Sequence, residues 1–216
     1  LPGTAPPMPD RSAGYVPDVG YTFGYHASLN PLSARLAFLH AGLVPPSFST
    51  ACELGIGQGV SLAVHAAASS VRWCGNDLLP EHVRFAQSLD PRFDFIGLHG
   101  IFSWISGGNR ACIAGFLRDH LAPGGVVYTG CNALPGWADM LPLRQLIAGY
   151  AGRAGSGGTV ERIEAALGFA ARLLDTHPLA VRELPGTAAR FTGLRQADRR
   201  YLAHEYFNRH WQHLSF

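Results

Sequence analysis

Three glycines at alternate positions follow a short apolar segment that ends in a glutamate. Residues 51–59 read Ala-Cys-Glu-Leu-Gly-Ile-Gly-Gln-Gly, and an alanine-rich segment with helical character comes next. Glycine tolerates positive φ and lets a ligand lie against backbone N–H groups, and a helix N-terminus offers unpaired donors and a positive dipole end. The spacing therefore predicts a buried strand, a tight turn and a helix that together bind a nucleotide-like ligand.

An acidic residue stands where the second strand of such a fold would end. Asp77 follows the apolar segment 71–76 and comes about twenty residues after Gly55, the distance at which a carboxylate binds ribose hydroxyls in nucleotide-binding folds. The dinucleotide fingerprint fails, since its third glycine is replaced by Val60. Two readings stay open: an adenosine-binding site, or an ordinary glycine turn with a solvated surface aspartate.

The elements that must position these residues alternate between strands and helices, which predicts an α/β fold with a parallel sheet. Strands are predicted at 51–53, 71–76, 93–100 and 126–131, with a turn at 123–125. Helices are predicted at 31–43, 60–68, 80–89 and 140–150, with a further one from Thr159. The segment 101–120 is predicted to begin irregularly at 102–105 and then to continue as a helix. Asn30 followed by Pro31 is a typical helix start. The aromatic residues at 21–25 form either a lid over the ligand or packing at the sheet edge.

One interval is too short for this pattern. The strand predicted at 93–100 follows the helix at 80–89 without room for the strand and crossover that a parallel sheet needs. Either an outer strand is deleted or residues are missing near Asp90. We favour the second reading, because a deletion would expose a strand edge. We also expect residues to be missing near Gly157 and after Phe216.

Composition narrows the functional class. The net charge of +2 is too small for a nucleic-acid footprint, and no apolar run is long enough to span a bilayer. The four cysteines lack a C-x-x-C pair, which predicts reduced thiols in a cytoplasmic protein. Scattered histidines predict no metal site.

We expect three regions: an N-terminal arm with a lid helix (1–48), a ligand-binding core (49–150), and a linker with the start of a helical region (151–216).

Several segments together resemble one bacterial family. They are residues 20–25, 52–59, 93–105, 123–128, 132–137 and 201–206. The chain resembles class I S-adenosylmethionine-dependent methyltransferases that carry a C-terminal methyltransferase regulatory domain, a group that includes protein lysine methyltransferases. The resemblance implies a seven-stranded Rossmann-like catalytic domain, S-adenosyl-L-methionine as cofactor, and transfer of its methyl group.

The resemblance and the strand ends together give the expected site. The residues expected around the cofactor are Tyr21, Glu53, Gly55, Gly57, Gly59, Asp77, Leu98 and His99. The candidate general bases are His99, His26 and Tyr25, needed only if the acceptor must lose a proton. The expected walls of the acceptor pocket are Trp104, Asn132 and Trp137. Each histidine and tryptophan has a structural alternative as a core residue.

The acceptor stays open between a protein side chain and a small molecule such as a natural product or glycan. Two rival classes also stay open. One is an inactive domain that binds cofactor or a partner as a scaffold, and the other is an oxidoreductase on the same sheet, which the mismatch at Val60 disfavours. Neither nucleic acid nor membrane is an expected partner, and the sequence leaves the oligomeric state open.

Overall fold

The structure is a computed structural model that describes residues 16, 19–77, 92–154, 157–183 and 185–215. Four described strands form a parallel sheet in the order β2-β1-β3-β4. Their bounds are β1 Thr50–Leu54, β2 Arg72–Asn76, β3 Phe93–His99 and β4 Leu121–Gly130. The chain goes from β1 to β2 on one side of β1, and then to β3 on the other side of β1. The carboxyl ends of β1 and β3 therefore flank a topological switch point, where open α/β sheets bind their ligands.

Strand residues alternate between the two faces of the sheet. On one face, Cys52 lies in register with Cys74 and Ile96, and this apolar cluster packs against α3, Gly107–His120. On the other face, Glu53 lies in register with a glycine on each neighbouring strand. Helix α2, Val60–Ala67, covers this second face and begins directly after the glycine turn.

The rest of the described chain is helical. The helices are α1 Pro31–His40, α4 Leu141–Arg153, α5 Thr159–Asp175, α6 Leu179–Glu183, α7 Pro185–Gln196 and α8 Arg199–Tyr206, with 3-10 turns at Ala27–Leu29 and Ala138–Met140. Helices α4, α5, α7 and α8 share a second hydrophobic core. In α5 the buried residues Ile163, Ala166 and Ala170 recur at helical spacing, as the sequence pattern predicts. The expected linker at 151–158 is helical up to Arg153, and the expected boundary at 150 falls inside α4.

Helix α1 starts where the sequence predicts and then leaves its apolar side uncovered. The Leu32 amide donates to Oδ1 of Asn30 at 2.9 Å, which confirms the predicted N-cap. The helix ends at His40, before the two prolines expected to stop it. Its leucines stay exposed, at 63% for Leu32 and 68% for Leu36, so this side is not part of either described core.

A single carboxylate fixes the amino ends of the two central strands. Oδ2 of Asp94 accepts from the backbone N–H and the hydroxyl of both Ser49 and Thr50, at 2.7 to 3.1 Å. Burial alone would raise the pKa of Asp94, but these four donors together outweigh it and lower the pKa. The bonds hold β3 beside β1 and thereby set the register of the opposite, carboxyl ends.

Two strand predictions need correction. The described residues form four strands, whereas the resemblance implies seven, and the described residues after β4 form helices and loops. Strand β4 begins at Leu121 rather than at Val126, and the Pro-Gly-Gly sequence is an irregularity within it, since Phe93 pairs with Leu121 but Phe95 with Val126. The helix predicted at 80–89 and the expected gap near Asp90 lie outside the described residues. No described helix combines the length and apolarity that a membrane crossing requires.

Candidate cofactor and active site

A cavity of about 390 Å³ opens at the carboxyl ends of β1, β2 and β3. Its volume is that of a small-molecule pocket. The walls come from the glycine turn, from the residues after each strand, from the N-terminal segment at 19–26, and from one residue of α8, His204. The cavity therefore lies where the topology predicts a ligand.

The glycine turn depends on the absence of side chains. Gly55, Gly57 and Gly59 have φ values of 71°, 53° and 73°, which side chains rarely adopt. A Cβ at Gly55 would overlap Ile101, and one at Gly57 would lie 3.2 Å from the Tyr21 ring. The predicted order of strand, glycine turn and helix is confirmed.

Asp77 lies directly against this turn. The Gly57 amide donates to Oδ2 of Asp77 at 2.7 Å, which links the ends of β1 and β2. The turn itself is closed by Asn76, whose carbonyl accepts from Gly55 and from the next residue. Both Gly57 and Asp77 line the cavity, so a single ligand can contact both.

Glu53 is a buried carboxyl group in apolar surroundings. Its register partners Gly75 and Gly97 have no side chains. Ile56 and Leu62 occupy the space beside Gly75, and Leu29 occupies the space beside Gly97, so a Cβ at either glycine would overlap them. Glu53 is 3% exposed, and its Oε2 atom has no hydrogen-bond partner among the described residues. Burial raises the pKa of Glu53 to about 7.

The N-terminal segment forms the wall opposite the sheet. The Tyr21 ring covers Gly57 and meets the His204 ring edge to face, with 5.1 Å between centroids. The carbonyl of Tyr21 accepts from Gln58 at 3.3 Å, and that of Val19 lies 2.8 Å from Nε2 of His204. Burial, with Glu205 nearby, raises the pKa of Tyr21 to about 12, so its hydroxyl stays protonated.

Two histidines meet at the end of β3. The His26 and His99 rings lie 4.4 Å apart between centroids and tilt by 33°. Burial lowers the pKa of both, and His26 lowers that of His99 further, so both are neutral at neutral pH. The Tyr128 hydroxyl lies 3.5 Å from Nδ1 of His99, and this nitrogen faces β4, where a Cβ at Gly130 would overlap it. The pair can therefore accept a proton inside the cavity.

The expected acceptor walls do not line the cavity and instead contact the C-terminal part of the chain. Trp104 is buried and donates from Nε1 to the Glu205 carbonyl at 3.2 Å. The Asn132 carbonyl accepts from Leu214 at 2.9 Å. Trp137 packs against Tyr206 and Trp211, with ring centroids 5.7 and 5.6 Å away.

Three more expected site residues lie outside the cavity wall, and the first is Gly59, which directly precedes α2. Leu98 is 1% exposed and belongs to the apolar face of the sheet that packs against α3. Tyr25 is half exposed and meets the buried ring of His65 on α2 edge to face, 5.3 Å between centroids. The alternation of side chains along β3 explains why Leu98 lies outside the cavity, because its neighbour His99 points to the opposite face of the sheet.

Sequence reasoning missed some lining residues. Ser61 of α2 accepts from the backbone N–H of His26 at 2.8 Å and so fixes the end of the N-terminal segment. His204 lies 185 residues from its carbonyl partner Val19, a distance that no local pattern reports. The aromatic density at 201–206 was the only available signal for it.

The charges of the cavity restrict its ligands. Among the described residues, two carboxylates (Glu53 and Asp77) and three imidazoles line it, and no arginine does. The sequence contains no lysine. A pyrophosphate would therefore find no cationic side chain, whereas a cationic ligand would meet two acids. Within the described ranges, no group of three or more His, Cys, Asp or Glu residues is placed to hold a metal ion.

Comparison with known proteins gives relatives that are longer than this chain. No protein-family model matches it. The uncharacterized protein sll1526 of Synechocystis is 35% identical over 230 residues, which cover 94% of this chain and 45% of that protein. The uncharacterized protein RP028 of Rickettsia prowazekii is 28% identical over 131 residues, 49% of this chain and 52% of that protein. The chain thus spans about half the length of the curated relatives it matches.

A solved structure shares the fold. PKMT2 from Rickettsia typhi, solved in complex with AdoHcy, matches with a TM-score of 0.68 and 20% identity over 90% of this chain and 42% of that chain. A second structure of PKMT2 gives 0.67 and 21%, over 91% and 41%. The predicted α/β fold with a parallel sheet is confirmed.

The isolated carboxyl of Glu53 gives the first prediction. Its pKa is higher folded than unfolded, so burial favours the neutral form, and stability is lost as pH rises from about 4 through about 7. Replacing it by glutamine should add about 1 to 3 kcal/mol to the free energy of unfolding near pH 8, and less than about 1 kcal/mol near pH 5.

Urea unfolding of both proteins at the two pH values measures this difference. Glu161→Gln, at an exposed glutamate in the first turn of α5, is the matched control and should show no such gain. An equal effect of Glu53→Gln at both pH values would contradict the buried, unpartnered carboxyl.

Proposed function

We propose that this chain is the catalytic part of an S-adenosylmethionine-dependent methyltransferase. The observation that carries the proposal is the buried, unpartnered Oε2 of Glu53 in a cavity whose other acid, Asp77, touches the glycine turn. S-adenosylmethionine carries a sulfonium and an ammonium group against a single carboxylate, so it brings net positive charge to this acidic cavity. The shared fold with PKMT2, solved with AdoHcy, supports the same ligand.

The residues present fit this cofactor. Glu53 would hold its ammonium group and gain the missing partner, and Asp77 would accept from the ribose hydroxyls. The glycine turn, which carries no side chains at Gly55 and Gly57, would let the methionine and ribose part lie against its backbone. Tyr21 would form the opposite wall. The bound cofactor supplies an electrophilic methyl group, and the protein orients it and excludes water.

A dinucleotide-dependent oxidoreductase is the weaker alternative, because the charges of the cavity and the glycine spacing both disfavour a dinucleotide. A nicotinamide dinucleotide carries a pyrophosphate, and no arginine among the described residues lines the cavity. The three glycines of the turn also lack the spacing of the dinucleotide fingerprint, as Val60 replaces the third.

We further propose an amine acceptor on a protein side chain, with His99 as the base. An ammonium group must lose a proton before it can attack a methyl group, and His99 is a neutral imidazole at the cavity wall. Burial keeps the pKa of His99 low, and the neighbouring His26 lowers that pKa further. The resemblance to a group that includes protein lysine methyltransferases supports this class of acceptor.

Cofactor binding gives the second prediction. In calorimetric titrations, S-adenosylhomocysteine should bind and NAD should not. Gly57→Val should abolish binding, because the backbone at this position has a positive φ that valine rarely adopts and the new side chain would meet the Tyr21 ring. Asp77→Ala should weaken binding about 10- to 100-fold.

The matched controls are Gly149→Ala in α4, where a Cβ meets nothing within 4 Å, and Asp175→Ala at the exposed end of α5. Both should bind as the unmodified protein does. NAD binding, or full binding by both site variants, would overturn the proposed cofactor. Binding without transfer of labelled methyl to lysate protein or small molecules would favour the inactive scaffold.

The pH dependence of transfer gives the third prediction. A base with a pKa below 6.5 stays active at neutral pH, so kcat should fall only on acidification below about pH 6.5. His99→Asn should lower kcat about 100-fold or more. His26→Phe, which removes the neighbour that depresses the pKa of His99, should move the acidic limb to higher pH.

Labelled-methyl transfer to protein acceptors, measured as kcat across pH, tests this role. His177→Asn, at an exposed histidine far along the chain on the C-terminal side of α5, serves as the control. An acidic limb that persists unchanged in His99→Asn would exclude His99 as the base.

A further inference from the structure

Residues 19–25, here called the strap, form a cavity wall held mainly by side chains. Among the described residues outside helices and strands, backbone–backbone hydrogen bonds begin only at Leu29, so the strap makes none of its own. It is held by Gln58 at the carbonyl of Tyr21 and by His204 at the carbonyl of Val19. A wall attached in this way can move without breaking regular structure.

His204 is a fixed anchor for the strap. It is 4% exposed, and its Nε2 must carry a proton because a carbonyl oxygen only accepts. The following residue, Glu205, accepts from the indoles of Trp104 and Trp211 through its carbonyl. Helix α8 is therefore tied to the loop after β3, and it packs in the core shared with α5.

The glycine turn and α8 approach the strap from opposite sides at Tyr21. Its ring touches the Gly57 position on one side and the His204 ring on the other. His204 is also the one residue of the described helical C-terminal part that lines the cavity. The helical part thus reaches the cofactor cavity through this histidine.

We propose that His204 is a positioning residue that holds the strap closed over the cofactor cavity, so that helix α8 controls how fast the cofactor leaves. The inference rests on the proposed function for the identity of the ligand. The contact of His204 with the strap, here called the latch, is a property of the protein alone. With His204 in place, Val19 stays against α8 and Tyr21 against the glycine turn, and without it the strap opens more often.

Two measurements on the 216-residue chain test the latch. In His204→Ala, S-adenosylhomocysteine should dissociate about five- to tenfold faster, as expected for loss of one hydrogen bond and a ring contact. Hydrogen exchange of the hydrogen-bonded glycine-turn amides that the strap covers, measured without ligand, should also become faster. His204→Gln, whose amide nitrogen can replace Nε2 as donor, should restore most of both properties.

The control is His40→Ala at an exposed residue of α1, which should change neither measurement. If His204→Ala unfolds the helical part, Gln58→Ala removes the other attachment of the strap from an exposed position and should speed exchange in the same direction. Unchanged glycine-turn exchange in folded His204→Ala, or in Gln58→Ala where His204→Ala does not fold, would overturn the latch.

Failure of the latch and failure of the proposed function give different results. If the unmodified protein does not bind S-adenosylhomocysteine, the proposed function fails, but the exchange measurement still decides the latch. If binding is normal and His204→Ala changes neither dissociation nor exchange, the latch fails and the proposed function stands.

Discussion

Glu53 occupies a position where a charged carboxylate is disfavoured and where the sheet gives it no partner. Glycines on both neighbouring strands leave it between apolar side chains, and burial raises its pKa to about 7. Burying such a group without a hydrogen-bond partner costs stability, commonly about 1 to 3 kcal/mol. A cationic ligand at the cavity removes this cost, so the same arrangement that weakens the free protein favours the ligand proposed here.

The cavity exists because of how the strands and the turn combine. The strand order places the ends of β1 and β3 beside each other at the switch point. The glycine turn keeps this space open, and Asp77 ties the turn to the end of β2. The helical part has its own core and reaches the cavity through His204, whose bond to Val19 closes the wall opposite the sheet.

Local patterns predicted the central unit well, because strand, turn and helix signals depend on neighbouring residues. The segment from β1 through α2, the N-cap at Asn30 and the proximity of Gly57 to Asp77 all follow from short spacings. Long-range packing was beyond such signals. Trp104 and Trp137 follow the correct strands, yet the C-terminal aromatic segment binds them, and the spacing of its residues does not state what they pack against. The exposed side of α1 is a further case, since an apolar stripe does not name its partner.

Proton release on ligand binding tests the role of Glu53 most directly. With a pKa of about 7, the free carboxyl is half protonated at neutral pH, and pairing with an ammonium group should drive it to the ionised form. Calorimetry of S-adenosylmethionine binding near pH 7, in buffers that differ in ionisation enthalpy, should detect release of roughly half a proton. The same titration of Glu53→Gln should show almost none. Equal proton release by the two proteins, or none by either, would contradict the account.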